Sequence, residues 1–242
     1  MNDSSAAKVL SVQVGLPRTV GNGDSPNPLD QVWTTGFFKE PTSGFVWLGR
    51  TNLAGDGQAD LENHGGPEKA VNAYPIEHYL YWTEALALSD LPLGAFGENF
   101  TTEGLLENTV CIGDVFEIGD SLVQVSQPRQ PCWKLARRWR VKDLAVQVQE
   151  TGRTGWYFRV LREGRVQAGS TLTLIERPCP RWTVAAANRV MHDDMNNVDL
   201  ARDLADCTYL SPRWRSKLTR RADTGTIENT SSRLDGPKGG SK

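Results

Sequence analysis

From residue 8 to about residue 177, glycine and proline cut this sequence into short runs rich in β-branched and aromatic residues, and that punctuation predicts a barrel or a sandwich. The runs fall at 9–14, 33–38, 44–48, 114–118, 121–126, 156–161 and 171–175. Gly119 with Asp120 supplies turn chemistry between two of them. Arg162, Glu163, Gly164 and Arg165 do the same within 158–166, so two hairpins are expected. Two helices interrupt the strands, at 75–88 with Pro75 in the first turn and at 133–139. The expectation is a mainly β fold: a β-barrel decorated with helices over residues 8–178.

Past Pro178, Cys179 and Pro180 the pattern changes. Segments 183–190, 199–206 and 212–221 have helical length, with Thr183 and Ser211 placed as N-caps. They predict a three-helix C-terminal unit over residues 181–222. Residues 181–242 hold 11 Lys and Arg against 8 Asp and Glu, the charge pattern of a solvated face or of a docking face for an acidic partner. Residues 1–7 and the Gly, Ser, Thr and Asn rich stretch 223–242 are expected to be disordered.

With 242 residues, 38% hydrophobic content and a formal charge of −2, the chain has the composition of one ordinary main domain plus an appendage. It lacks the basic excess that nucleic-acid binding needs. The four cysteines, Cys111, Cys132, Cys179 and Cys207, form no CxxC pair, so neither a zinc knuckle nor a disulfide scaffold is suggested. No window approaches a membrane span and the N-terminus does not read as a leader, so a cytoplasmic protein without membrane association is expected.

The densest chemistry is Ser126-Gln127-Pro128-Arg129-Gln130-Pro131-Cys132-Trp133-Lys134. The two prolines hold the backbone in one shape, and Arg129 and Lys134 bracket the sulfur with positive charge that favours the thiolate. A buried, inert thiol is the competing reading. A second cluster runs from His64 through Gly65, Gly66 and Pro67 to Lys69, where small residues and a cation suit an anion such as phosphate; taken alone, a plain turn is the favoured reading. His64 is a candidate ligand or proton donor, and also an ordinary hydrogen-bonding loop residue. The aromatics around His78 and Trp82, one helical turn apart, read as core. In Gly97-Glu98-Asn99, Asn99 can recognise a heterocycle edge or, like Glu98, satisfy the loop's own backbone. No HExxH, Gly-x-Ser-x-Gly or GxGxxG pattern is present, which removes the zinc-hydrolase, serine-hydrolase and dinucleotide-binding readings.

Taken in order, His-Gly-Gly-Pro at 64–67, Tyr74-Pro75 with the aromatics at 78–82, Phe96-Gly97-Glu98-Asn99 and the Pro131-Cys132 loop resemble a MOSC domain, and within it the bacterial YiiM-type subfamily. The resemblance covers about residues 8–221. It implies a MOSC-type β-barrel followed by a three-α unit, with molybdenum cofactor (molybdopterin) as the bound group and Cys132 as thiolate ligand to molybdenum. Gly65, Gly66, Lys69, Asn99, Arg129 and Lys134 become candidates to bind the cofactor, and His64 to donate a proton or orient a reactant. The implied reaction is reduction of an N-hydroxylated compound such as 6-hydroxylaminopurine to the amine, a detoxification. Asn99 and an aromatic such as Trp133 would hold the flat base. Electrons would come from a separate flavin or iron–sulfur reductase, for which the helical unit offers a dock. Pyridoxal phosphate is not expected, and a homodimer is left open. The alternative is a carrier of the cofactor, or of sulfur as a Cys132 persulfide, without turnover.

Overall fold

A computed structural model of the protein describes residues 6–236. The first half contains β1 (Lys8–Val14), β2 (Arg18–Val20), β3 (Trp33–Thr35), β4 (Glu40–Pro41), β5 (Val46–Leu48), α1 (Leu61–His64), β6 (Val71–Pro75), α2 (Tyr79–Ala85) and β7 (Phe100–Glu103). Next come β8 (Val115–Ile118), β9 (Ser121–Pro128), α3 (Lys134–Trp139), α4 (Leu144–Glu150), β10 (Trp156–Arg162), β11 (Gly164–Val166) and β12 (Thr173–Glu176). The helical unit is α5 (Val184–His192), α6 (Val198–Ala205) and α7 (Pro212–Thr224), and a short α8 (Ser231–Leu234) follows.

Eight strands form one curled sheet in the order β12-β8-β9-β10-β6-β7-β1-β4. Its curl brings β1 back to the chain just ahead of β12. There Val9 N donates to Ser170 O (2.9 Å), Gly169 N to Val9 O (2.8 Å) and Leu172 N to Ala7 O (2.8 Å). Irregular registers in the β1–β7 and β9–β10 pairs bend those strands, as bulges do where a sheet must close. The sheet is antiparallel except for β6 and β7, which run parallel with Ala73 opposite Phe100. All five residues of β6 are buried, so it lacks the in–out alternation that marks a strand in sequence.

The expected hairpin at Gly119 and Asp120 forms, β8 pairing with β9. The one at 158–166 does not: β11 leaves the main sheet and pairs with β5, Gly164 opposite Leu48. Gly164 explains the detour, because a Cβ there would stand 2.6 Å from the Asp120 carbonyl carbon, so only glycine lets the chains cross.

Val9, Val12, Phe100, Phe116, Val123 and Phe158 fill the barrel, and that core continues without a break into Val184, Leu204, Trp214 and Leu218 of the helical unit. Thr183 and Ser211 cap α5 and α7 as expected, accepting from Ala186 N and Trp214 N. The backbone joins the two parts: Val184 N donates to Val110 O (2.8 Å) and Ser211 N to Ser126 O (2.9 Å). A second apolar cluster packs α2, α3 and α4 on the outside around Tyr74, Trp82, Phe96 and Leu135, with Tyr74 and Phe96 stacked 4.3 Å apart.

Composition pointed to disorder at residues 223–242, yet 223–236 are folded back over the cysteine loop. Trp133 N donates to Arg233 O (2.8 Å), and Gly236 sits against the Trp133 ring. One arginine explains the difference: the Arg233 side chain donates to Pro131 O and to Gln149 Oε1, contacts that polar composition does not reveal. Residues 237–242, and 1–5 of the expected disordered N-terminus, lie outside the described residues.

Candidate functional site

β9 ends at Pro128, and Arg129 N is held by Gly155 O (3.1 Å), so the strand turns out of the sheet into Gln130, Pro131 and Cys132. Leu135 N donates to Cys132 O, which places the cysteine at the start of α3. Cys132 is a free thiol and only 7% exposed. His64 arrives from the end of α1 and puts Nε2 3.5 Å from Cys132 Sγ. Its Nδ1 lies 3.4 Å from Asp60 Oδ2, outside hydrogen-bonding geometry. Burial, then the charges of Lys134, Lys69 and Arg129, push the His64 pKa down to about 4 against the pull of Asp60, so the imidazole is neutral at pH 7.

Two cavities meet at this pair. A tight recess of about 70 Å³ reaches into the barrel past Asn72, Phe96 and Arg129. A cleft of about 600 Å³ opens between barrel, helical unit and tail. Cys132, His64, Lys69, Gln130 and Tyr157 line both. The cleft is rich in cations, Lys69, Arg213, Lys217, Arg221 and Arg233, with Asp60 and Glu228 as its acids among the described residues. Burial, then the like charges of Arg213 and Lys217, lower the Lys69 pKa to about 8. Lys69 Nζ rests on Asn63 O, and Lys134 is buried on the recess side. Arg129 is 5% exposed; one nitrogen donates to Phe96 O (3.0 Å), and Nη1 has no partner among the described residues.

Cys132, His64, Lys69, Arg129, Lys134 and Asn99 are thus brought together, but not all are free to act. Asn99 spends its side chain on the fold, donating to Gln13 O (3.2 Å) and Asp56 Oδ2 (2.9 Å) and accepting from Asn72 N (3.1 Å). Gly65 and Gly66 line neither cavity. Gly65 N is bonded to Leu61 O, and Gly66, at φ 90°, turns the chain where other residues are strained. Trp133 borders the cleft, with Arg137 4.7 Å over its ring and Trp33 at 5.6 Å. Glu98 is fully buried and accepts from Tyr79 Oη, Gly94 N (2.9 Å), Phe96 N (3.0 Å) and Thr101 Oγ1 (3.0 Å), so it organises its own turn. His78 is bonded to Glu107 Oε2 (2.8 Å), away from both cavities. Sequence reasoning missed Asn72, Gln127 and Tyr157, and the helix and tail cations. Asn72 Oδ1 and Gln127 Oε1 are buried without partners among the described residues, a property that only packing creates.

The MOSC domain family matches residues 60–173, and the YiiM-like, 3-alpha helix domain family matches residues 182–225. Protein YiiM of Escherichia coli is 39% identical over 202 residues, covering 82% of this chain and 89% of that protein. The chain belongs to the MOSC family, YiiM type. The uncharacterized protein YflK of Bacillus subtilis is 46% identical over 215 residues, 89% of this chain and 94% of its own. The crystal structure of YiiM from Geobacillus stearothermophilus superposes with a TM-score of 0.74 at 36% identity, over 89% of this chain and 99% of that one. A protein of Gibberella moniliformis named "Reductase" is 40% identical over 180 residues, 73% of this chain but 31% of its own length.

MOSC domains are associated with molybdenum cofactor, and the residues around Cys132 fit such a group. A soft thiol stands beside unpartnered Arg129 Nη1 and Gln127 Oε1, in a cleft with more cations than acids. Among the described residues no three His, Cys, Asp or Glu side chains converge to hold an ion, so a metal at Cys132 must bring its other ligands with it. No helix among the described residues is long and apolar enough to cross a membrane.

The buried histidines carry a pH prediction. His64 and His192, the latter pushed to about 3 by burial and then by Arg233, Arg221 and Lys217, both lie below the ordinary 6.5. Between those values the unfolded chain binds protons that the folded chain refuses, so stability should fall as pH drops from 7 to 5, by on the order of 2 kcal/mol for each histidine. Urea midpoints at the two pH values check this; equal midpoints would contradict it.

Proposed function

We propose that this MOSC protein binds molybdenum cofactor through the Cys132 thiolate and reduces N-hydroxylated compounds such as 6-hydroxylaminopurine to their amines. The observation behind it is the position of Cys132: a free thiol at the junction of a tight recess and a cation-lined cleft, with neutral His64 3.5 Å from its sulfur. When bound, the cofactor supplies the two-electron removal of oxygen from nitrogen. The protein does the rest. Neutral His64 offers Nε2 as a hydrogen-bond acceptor 3.5 Å from Cys132 Sγ and so orients the thiol, while the proton that Cys132 loses on becoming a ligand leaves through the cleft to solvent. Arg129 and Lys134 on the recess side offset the negative charge gathered at the sulfur. In this reading Asn72 Oδ1, buried without a partner among the described residues, rather than the fully engaged Asn99, accepts from the N–H edge of a flat base.

Two electrons and two protons per turnover accompany release of one water. The electron source in this reading is a separate flavin or iron–sulfur reductase, and the reductase name of the longer Gibberella relative supports a reductive role. The test is turnover of 6-hydroxylaminopurine with an artificial reductant by protein purified from cells that make the cofactor. The amine is expected; a rate no greater than that of Cys132→Ser would remove catalysis and leave a binding or carrier protein.

A further inference from the structure

Four polar atoms of the helical unit are buried without partners among the described residues, and three of them belong to side chains that line the cleft: Trp214 Nε1, Arg221 Nε and His192 Nε2. Trp214 is fully buried and Arg221 is 4% exposed. Trp214, Lys217 and Arg221 follow at i, i+3 and i+7 along α7, so they share one helix face, and His192 closes the row from the end of α5, its ring 6.5 Å from that of Trp214. The arrangement is anchored: Arg221 gives Nη1 to Val190 O (2.8 Å) and Nη2 to Met191 O (3.0 Å), which fixes the guanidinium and leaves Nε over.

An unpaired buried donor costs enough that proteins rarely keep one without a ligand or an ordered water. Here the Trp214 and Arg221 groups are N–H donors, one on a cation, and a second cation, Lys217, stands between them in sequence. Such a row suits an acceptor-only anion with several oxygens. A carboxylate already reaches the spot. Glu228 of the tail lies 2.9 Å from Lys217 Nζ and also pairs with Arg220, so the tail's own anion neutralises Lys217 while no other is bound.

We infer that the α7 face, Trp214, Lys217 and Arg221, with His192 of α5, is a phosphate-binding subsite, and that it holds the phosphate end of the ligand whose sulfur end meets Cys132. The second clause rests on the proposed cofactor; the first does not. The helical unit then forms half of the binding site. Lys69 and Arg129 are left to the charge near the sulfur, and an arriving phosphate displaces Glu228 from Lys217.

The test uses inorganic phosphate on the cofactor-free full chain, read as a saturable rise in melting temperature and as heat on titration. Wild type should bind, and Trp214→Phe and Lys217→Gln should each weaken Kd by about tenfold. Glu228→Gln should tighten it, a gain that general loss of structure cannot produce. Cys132→Ser should bind phosphate as wild type does, so failure of the metal-ligand reading leaves this result standing. If Trp214→Phe fails to fold, Lys217→Gln and Glu228→Gln decide. Absence of saturable binding, wild-type affinity in Lys217→Gln, or loss of binding only in Lys69→Gln overturns the subsite and leaves the buried donors to ordered water.

Discussion

Cys132→Ser protein purified from cells that make molybdenum cofactor is expected to retain less than about one hundredth of the molybdenum bound by wild type, since even residues that merely support a metal ligand cost ten- to a hundredfold when changed. Serine keeps the size but not the chemistry. A hydroxyl is a hard ligand, whereas the thiol sulfur is soft and suits a metal already bound by sulfur, with Arg129 and Lys134 on the recess wall to offset the charge of the bound group. Folding should be untouched, because Cys132 ends a loop whose shape is fixed by Pro128, Pro131 and the Arg129 N to Gly155 O bond. Metal analysis beside a melting curve separates the outcomes. Wild-type metal content in the serine variant sinks the ligand assignment; a large fall in melting temperature assigns the cysteine to structure instead. His64→Gln, which keeps a polar side chain but changes the group that orients the thiol, should retain metal to an intermediate level.

Glu98→Ala is expected to be the most destabilising single change in the barrel, costing about 4 kcal/mol or more. The Glu98 carboxylate is fully buried and accepts four hydrogen bonds, from Tyr79 Oη, Thr101 Oγ1 and two backbone amides. Its removal takes a partner from four donors at once; Gly94 N keeps Tyr79 Oη (3.2 Å) and Thr101 Oγ1 keeps the Gln13 amide (2.7 Å), but Phe96 N and Tyr79 Oη are left unpaired, at roughly 1–3 kcal/mol each. Burial of the Tyr79 hydroxyl, then the charge of the Glu98 carboxylate, drives it far above its ordinary pKa, so Tyr79 remains a donor at any workable pH. At 2–4 °C per kcal/mol for a chain of this size, the melting temperature should fall by about 10 °C or more. A near-wild-type melting curve with lost turnover would instead make Glu98 a reacting group.

Sequence reasoning reached the cysteine because its signal is local: prolines, cations and a thiol within nine residues report their own geometry and charge. His64 and Lys69 were legible for the same reason. Asn99 misled because its residue type permits recognition while its surroundings consume every polar atom, and a sequence does not show Asp56 and Gln13 converging on it. β6 was hidden by burial on both faces, which erases alternation, and the strand at 164–166 was expected, but paired with its neighbour, whereas its partner is distant β5. The tail was misread because disorder was inferred from its average composition, while Arg233 alone ties it to Pro131 and Gln149.

By itself the sequence determined what depends on neighbours along the chain: a β-rich body followed by helices, capped starts at Thr183 and Ser211, and a thiol prepared by two prolines. The tertiary structure decided what depends on residues far apart meeting. It placed His64 against Cys132 across 68 positions, turned Glu98 and Asn99 into structural groups, and set the α7 face and Arg233 around the cleft. The physical reason is that charge and hydrogen-bonding capacity belong to a residue, whereas desolvation and an unmet bond belong to a place, and a place exists only once the chain has folded.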